Sequence, residues 1–387
     1  MNIIIYFESS VDPQKGGVER MSLVLADMLS NLGHNISFLC WNRTSNVKLQ
    51  YPLYYLPKKQ WHKENDDYIG SIIVTKQIDL LINQAAILPV NKPVCTAFRR
   101  QKVPIIQVFH NSFYGIYSRI RLLEKLGQRS NFVSHLLSEK FIKNIIICLY
   151  KIKYKQYYRD LGQENDYFVL LSDKYREEFV DFCKPKNMHK LYAIPNPITF
   201  SIDRNDYKKE KIILFCGRMD SQKRPMLALK IWERIAYKNP NWKMIMIGDG
   251  DYLNILKKYA NQHFINNVDI LGKQNPIPFY KRASILCMTS AYEGLPLVLL
   301  EAFNFGCVPV AFNTFACASE IISNDKDGIL VKENSEIEYI EKLQKLMNNQ
   351  TLRVKMRNRR FVKLAEYSPS LISSLWSSLL NDIELYA

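Results

Sequence analysis

Three short segments carry residue types whose spacing could do phosphate and sugar chemistry. Gly217-Arg218-Met-Asp-Ser-Gln-Lys223 follows the apolar run KIILFC and sets a guanidinium and an ammonium on one loop. A planar guanidinium can grip two phosphate oxygens and an ammonium adds a point charge, so the pair could neutralise a departing diphosphate. Two solvated loop bases are the other reading. Glu293-Gly-Leu-Pro-Leu-Val-Leu-Leu-Glu301 follows the run SILCMTS. Pro296 suits a first helical turn, which leaves Glu293 in the preceding loop and Glu301 on the helix. Glu301 interrupts the apolar stretch VLLEAF, where a carboxylate is costly unless it binds something. Sugar hydroxyls or a neighbouring base would both serve. Gly16-Gly17 lies between the first apolar run and a helical pattern, where backbone N–H groups can approach a phosphate. A tight turn explains it equally. The third glycine of a dinucleotide fingerprint is missing, and no phosphate-loop lysine motif occurs in the chain.

The elements around these segments alternate. NIIIYF, HNISFLCW, IDLLINQ, VPIIQVFH and DYFVLLS read as strands, and VERMSLVLADMLSNLG as a helix ending at Gly33. A second series follows the proline-punctuated stretch between Ile194 and Lys211. Its strands are KIILFCGR, WKMIMIGDG, VDILG, ASILCMTS and VPVAF. Its helices are RPMLALKIWERIAYKN, DYLNILKKYANQ, PLVLLEAFNFG and a charged one from Glu336 to Asn358. Strands alternating with helices imply parallel sheets with right-handed crossovers. Two α/β domains are expected, with ligands bound outside the carboxyl ends of the strands and a cleft between the domains as the default site. The boundaries are 1–194, 195–365, and a last helix over 366–387 that crosses back to the first domain or stays on the second.

The 387 residues are 47% hydrophobic and 23% charged, the composition of an ordinary globular protein rather than a disordered one. No apolar run approaches the length of a spanning helix, and MNIIIYFESS reads as a strand, not a signal peptide. Cys40, Cys95, Cys148, Cys183, Cys216, Cys287, Cys307 and Cys317 contain no CxxC pair, and no two histidines have metal-ligand spacing. Reduced thiols and no metal site are expected. The net charge is +16, and the segment from Arg99 to Asp160 holds thirteen basic residues against three acidic ones. Apolar residues punctuate those bases at helical spacing, which favours an anionic membrane surface over nucleic acid, for which no module motif is present. A plain solvated basic face remains the alternative.

Gly217-Arg218 with Lys223, followed by Glu-x7-Glu at 293 and 301, resembles the signature of the family 4 glycosyltransferases. Gly16-Gly17-Val-Glu19, His110-Asn111, Pro195-Asn196, Gly248-Asp249-Gly250 and Gly306-Cys-Val-Pro309-Val agree with it in order, over residues 1 to about 350. The resemblance implies the GT-B architecture, two Rossmann-like domains facing a cleft. It also implies retaining, metal-independent transfer of a sugar from a nucleotide-diphosphate sugar, with UDP as the expected nucleotide and no other cofactor.

By similarity, Arg218 and Lys223 hold the donor diphosphate, and Glu301 takes the ribose hydroxyls. Glu293 lies by the transferred sugar, and His110 approaches it from the first domain. Gly294, Leu295, Pro296 and Leu297 present backbone N–H groups to the diphosphate, while Gly16 and Gly17 cover it from the other domain. For Asn196 and Asp249 a turn-shaping role is an equal reading. Glu19 is read only as a helix N-terminal acid. Many bacterial relatives extend lipid-linked oligosaccharides, which implies a glycan or polyprenyl-diphosphate-linked acceptor and a location at the cytoplasmic membrane face. A UDP-sugar 2-epimerase and a non-catalytic glycan scaffold are the rival readings.

Overall fold

The computed structural model describes residues 1–13, 16–44, 46, 48–113 and 140–386. They fall into two compact units: residues 1–113, 140–199 and 369–386 in the first, and residues 200–368 in the second. Residues 114–139 of the basic stretch singled out above lie outside the described residues.

The first unit is built on β1 (Asn2–Ser9), β2 (Asn35–Asn42), β3 (Leu53–Tyr55), β4 (Leu80–Asn83), β5 (Ile105–Phe109), β6 (Tyr167–Leu170) and β7 (Leu191–Ala193). The strands run parallel in the order β3-β2-β1-β4-β5-β6-β7. Between them come α1 (Gly17–Asn31), α2 (Lys63–Lys76), α3 (Lys92–Arg100), α4 (Lys140–Gln163) and α5 (Arg176–Cys183). Consecutive β-branched residues in β1 follow from burial on both faces. Ile3 and Ile5 enter one apolar cluster, Ile4 and Tyr6 the other.

The second unit carries β8 (Glu210–Cys216), α6 (Pro225–Ala236), β9 (Lys243–Ile247), α7 (Leu253–Gln262), β10 (Val268–Gly272), α8 (Ile277–Arg282) and β11 (Ala283–Met288). It continues with α9 (Leu297–Asn304), β12 (Val308–Phe312), α10 (Ala318–Ile321), β13 (Ile329–Val331), α11 (Glu336–Asn348), α12 (Gln350–Asn358) and α13 (Arg360–Glu366). Its sheet, also parallel, has the order β10-β9-β8-β11-β12-β13. Both units are therefore Rossmann-like, and the strand order reverses between β1 and β4 and between β8 and β11.

The single charged helix expected from Glu336 to Asn358 is two helices. Asn349 leaves the helical conformation, and its side-chain oxygen accepts a hydrogen bond from Leu352 N at 2.8 Å, capping the start of α12. The last helix, α14 (Pro369–Tyr386), belongs to the first unit. Ile372, Trp376, Leu379, Leu380 and Ile383 recur at helical spacing and enter the cluster that holds Ile3, Leu25 and Leu29. Tyr192 Oη donates to Asp382 Oδ2 at 2.7 Å on the same helix.

Because Ile372 is fully buried in that cluster, Ile372→Ala should cost about 2–5 kcal/mol in the unfolding transition of the first unit. Urea denaturation with an unchanged midpoint would show that α14 is not part of that core.

Candidate active site

Backbone geometry at the end of β8 starts the site. Gly217 has φ +157° and Gly248, just after β9, has φ +139°. Gly217 N donates to Ile247 O at 3.1 Å, and Met219 N donates to Asp249 O at 2.8 Å. A Cβ on Gly248 would stand 1.8 Å from Gly217 O, so only glycine lets the two loops touch. Gly248-Asp249-Gly250 thus braces the loop that carries Arg218, and Asp249 acts there through its backbone.

The loop then folds on its own side chains. Asp220 Oδ1 accepts from Lys223 N at 3.0 Å, and its Oδ2 lies 3.2 Å from Arg218 Nη2. Arg218 Nη2 also donates to Gln222 Oε1 at 2.8 Å, and the Arg218 side chain is 58% exposed. Gln222, which carried no signal in the sequence, is buried and spans two loops. Its Nε2 donates to Tyr292 O at 3.2 Å and lies 3.4 Å from Glu293 Oε2, while its carbonyl accepts from Ala291 N at 2.8 Å.

The strongest link is ionic. Lys223 Nζ lies 2.5 Å from Glu293 Oε1, with side-chain exposures of 14% and 7%. A pair this buried is expensive to break from one side, because the remaining charge is stranded. Arg224, at φ +48°, reinforces the junction. Its Nε donates to Thr289 O at 2.6 Å and its Nη2 to Ser290 O at 3.0 Å. No motif in the sequence marks Arg224.

Glu301 sits in α9, 5% exposed, and accepts a hydrogen bond from Tyr280 Oη at 2.9 Å. Burial, with Cys216 and Glu301 nearby, pushes the Tyr280 phenol well above its ordinary pKa, so it stays a donor. Pro296 occupies the position before α9 and makes no side-chain cap, which leaves the leading N–H groups of Leu297 and its successors without one. Leu295 precedes the helix and is buried, and Gly294 O accepts from the Cys317 thiol. Arg218, Lys223, Glu293, the turn from Gly294 to Leu297, and Glu301 are therefore brought together at the carboxyl ends of β8 and β11, where the strand order reverses.

Gly16, Gly17 and His110 belong to the first unit. Gly16 is extended and immediately precedes α1, whose first residue is Gly17. Glu19 folds back over it: a Cβ on Gly16 would lie 2.3 Å from Glu19 Oε2. His110 follows β5, and its Nε2 pairs closely with Gln84 Oε1. That amide oxygen fixes the proton on Nε2 and leaves Nδ1 buried with no hydrogen-bond partner among the described residues. Both residues line a small cavity of about 20 Å³ with Asn196, Pro195 and Trp376. Burial pushes His110 down to about 4, so the ring is neutral at neutral pH. Among the described residues no group of three or more His, Cys, Asp or Glu could hold a metal ion.

A sequence profile of the glycosyl transferases group 1 matches residues 199–361, which cover the loops just described. An uncharacterized glycosyltransferase of Haemophilus influenzae is 25% identical over 377 residues, 94% of this chain and 96% of its own length. Residues 199–361 are therefore similar to the group 1 glycosyltransferases, and the two Rossmann-like units are those of the GT-B fold. An α-1,4-N-acetyl-D-galactosaminyltransferase of Campylobacter jejuni is 30% identical over 220 residues, 55% of this chain. This chain spans 58% of that relative's length. TarM of Staphylococcus aureus and the Anabaena protein HepE, solved with UDP, share the fold, with TM-scores of 0.73 and 0.72. Their identities of 14% and 13%, over 98% and 99% of this chain and 99% and 100% of theirs, speak to fold alone.

His110 gives a testable pH dependence. Its folded-state pKa is lowered, so protons favour the unfolded chain, and the contribution present above about pH 6.5 is lost as pH falls toward 4. Urea midpoints at about pH 7 and about pH 5 should drop less between the two in His110→Gln than in the wild type. An identical drop would contradict the buried, neutral ring.

Proposed function

We propose that this protein moves a sugar from a UDP-sugar to a glycan or polyprenyl-diphosphate-linked acceptor, with retention and without a metal. The observation that carries the reading is the meeting of Lys223 and Glu293, beside Arg218, at the carboxyl ends of β8 and β11. In the proposed reaction the bond from the anomeric carbon to the phosphate oxygen breaks, and its electron pair leaves with the diphosphate. Arg218 and Lys223 stabilise that charge, aided by the uncapped N–H groups at the start of α9. The acceptor oxygen bonds the anomeric carbon on the face the phosphate leaves, and its proton passes to the departing phosphate. Glu293, already hydrogen-bonded to Lys223 and Gln222, orients the ammonium and receives sugar hydroxyls. Glu301 receives the ribose hydroxyls, with Tyr280 fixing its carboxylate. Gly16, Gly17 and neutral His110 are the first domain's candidate donor-binding residues.

Two relatives support the acceptor class. The Campylobacter enzyme is named for transfer onto a diphosphoundecaprenol-linked glycan, and an Escherichia coli relative, 29% identical over 193 residues, for a diphosphoundecaprenol-linked GlcNAc acceptor. The net charge of +16 suits work at an anionic membrane surface on the cytoplasmic side, and no described helix is long and apolar enough to cross a bilayer.

A thermal-shift panel of UDP, GDP, ADP and CMP tests the donor assignment. UDP at a hundredfold excess over its dissociation constant should stabilise the wild type by about 2.7 kcal/mol. Glu301→Ala should lose that shift. A different nucleotide giving the shift would replace UDP, and no shift from any of them would overturn the donor site.

A further inference from the structure

A second charged cavity lies at the other end of the same sheet. It measures about 510 Å³ and opens among Lys211 at the start of β8, Ser284 at the start of β11 and Val308 at the start of β12. The loops at Gly217 and Glu293 follow the opposite ends of those strands, and β8 alone is about 20 Å long. Its size falls within the range of about 300–1,000 Å³ usual for small-ligand pockets.

Its lining is cationic. Lys208, Lys209, Lys211, Arg353 and Arg357 face one carboxylate, Asp206. On α12, Gln350, Arg353, Val354 and Arg357 occupy the i, i+3, i+4 and i+7 positions of one face, beside the face on which Leu352 and Met356 enter the core. The guanidinium of Arg357 is only partly used. Its Nη2 meets the exposed Asp206 carboxylate at 2.8 Å, its Nη1 lies 3.4 Å from Tyr207 O, and its Nε is buried with no hydrogen-bond partner among the described residues. Gly306 makes room for this side chain, since a Cβ there would stand 2.9 Å from Arg357 Cδ.

Two of the other cations are held in place. Arg353 Nη1 donates to Met347 O at 2.9 Å and its guanidinium stacks on Trp242, 5.1 Å from the ring centre. Lys209 Nζ is fixed by the carbonyls of Tyr280 and Phe305, at 2.8 and 2.5 Å, and burial lowers its pKa. Lys208 and Lys211 are exposed and make no ion pair among the described residues. Fixed and exposed cations around an open space, with one exposed carboxylate on their rim, form a receptor for an anion of higher charge.

We propose that this cavity is a second anion site, binding a phosphate or diphosphate group through Arg357, Arg353, Lys208 and Lys211, separate from the loops at Gly217 and Glu293. The ligand class is a phosphorylated small molecule or a phospholipid headgroup, and Asp206 gives way to it. The site stands independently of the donor assignment.

Calorimetric titration of inorganic pyrophosphate into the full chain tests it, at physiological salt where the Debye length is about 8 Å. A parallel arm uses phosphatidylcholine vesicles with and without phosphatidylglycerol. The variants are the double substitution Lys208→Glu/Lys211→Glu, at exposed positions, and Arg218→Ala at the other site, where the side chain is 58% exposed. Binding that survives Arg218→Ala and weakens about tenfold or more in the double variant supports the second site. Pyrophosphate or vesicles showing that pattern identifies a soluble phosphate or a headgroup as the source. Binding lost in Arg218→Ala and unchanged in the double variant overturns the proposal, as does no binding of either probe.

Discussion

The buried ion pair between Lys223 and Glu293 is the contact on which the site in the second domain depends. It joins the loop after β8 to the loop after β11, and both charges are largely out of water. Such a pair adds little net stability compared with apolar packing, yet it is costly to leave half-made. Its value is positional. Gln222, Arg224 and Thr289 exist around it as a lattice of hydrogen bonds that holds both loops at fixed distance. Arg218 remains more than half exposed at the edge of this lattice, where an incoming anion can reach it.

The parallel sheet determines where that lattice can form. With the strand order reversing between β8 and β11, the loops at their carboxyl ends diverge and leave backbone N–H groups and side chains facing solvent. Gly217 and Gly248 permit a backbone contact that any side chain would block, and that contact stiffens the Arg218 loop. The amino ends of the same strands are built differently. There α12 packs Leu352 and Met356 into the core and turns two arginines toward a cavity beside it, an arrangement with a standing electrostatic cost unless an anion occupies it.

Much of this was legible in the sequence because periodicity and local chemistry agreed. The strands from NIIIYF to VPVAF announced themselves as apolar runs, and Glu301 stood out as an acid in an apolar helix. Three features were not legible, each for a physical reason. Asn349 splits a helix through a side-chain cap that a charged periodic pattern hides. Gln222 and Arg224 matter through partners 65 to 71 positions away, a relation that only folding creates. The short strands β3, β7 and β13, three residues each, are too brief to show alternation and are set by pairing with their neighbours.

The account rests on Lys223 and Arg218 reading a diphosphate, so the most direct measurement compares UDP with UMP by calorimetry. The wild type should prefer UDP by more than about tenfold, the worth of charge-assisted hydrogen bonds to the second phosphate. In Lys223→Ala/Glu293→Gln, which removes the ammonium without stranding a buried carboxylate, that preference should fall by about tenfold. An undiminished preference in the double variant would contradict the account, because the second phosphate would then be recognised somewhere other than the loops that Lys223 and Glu293 join.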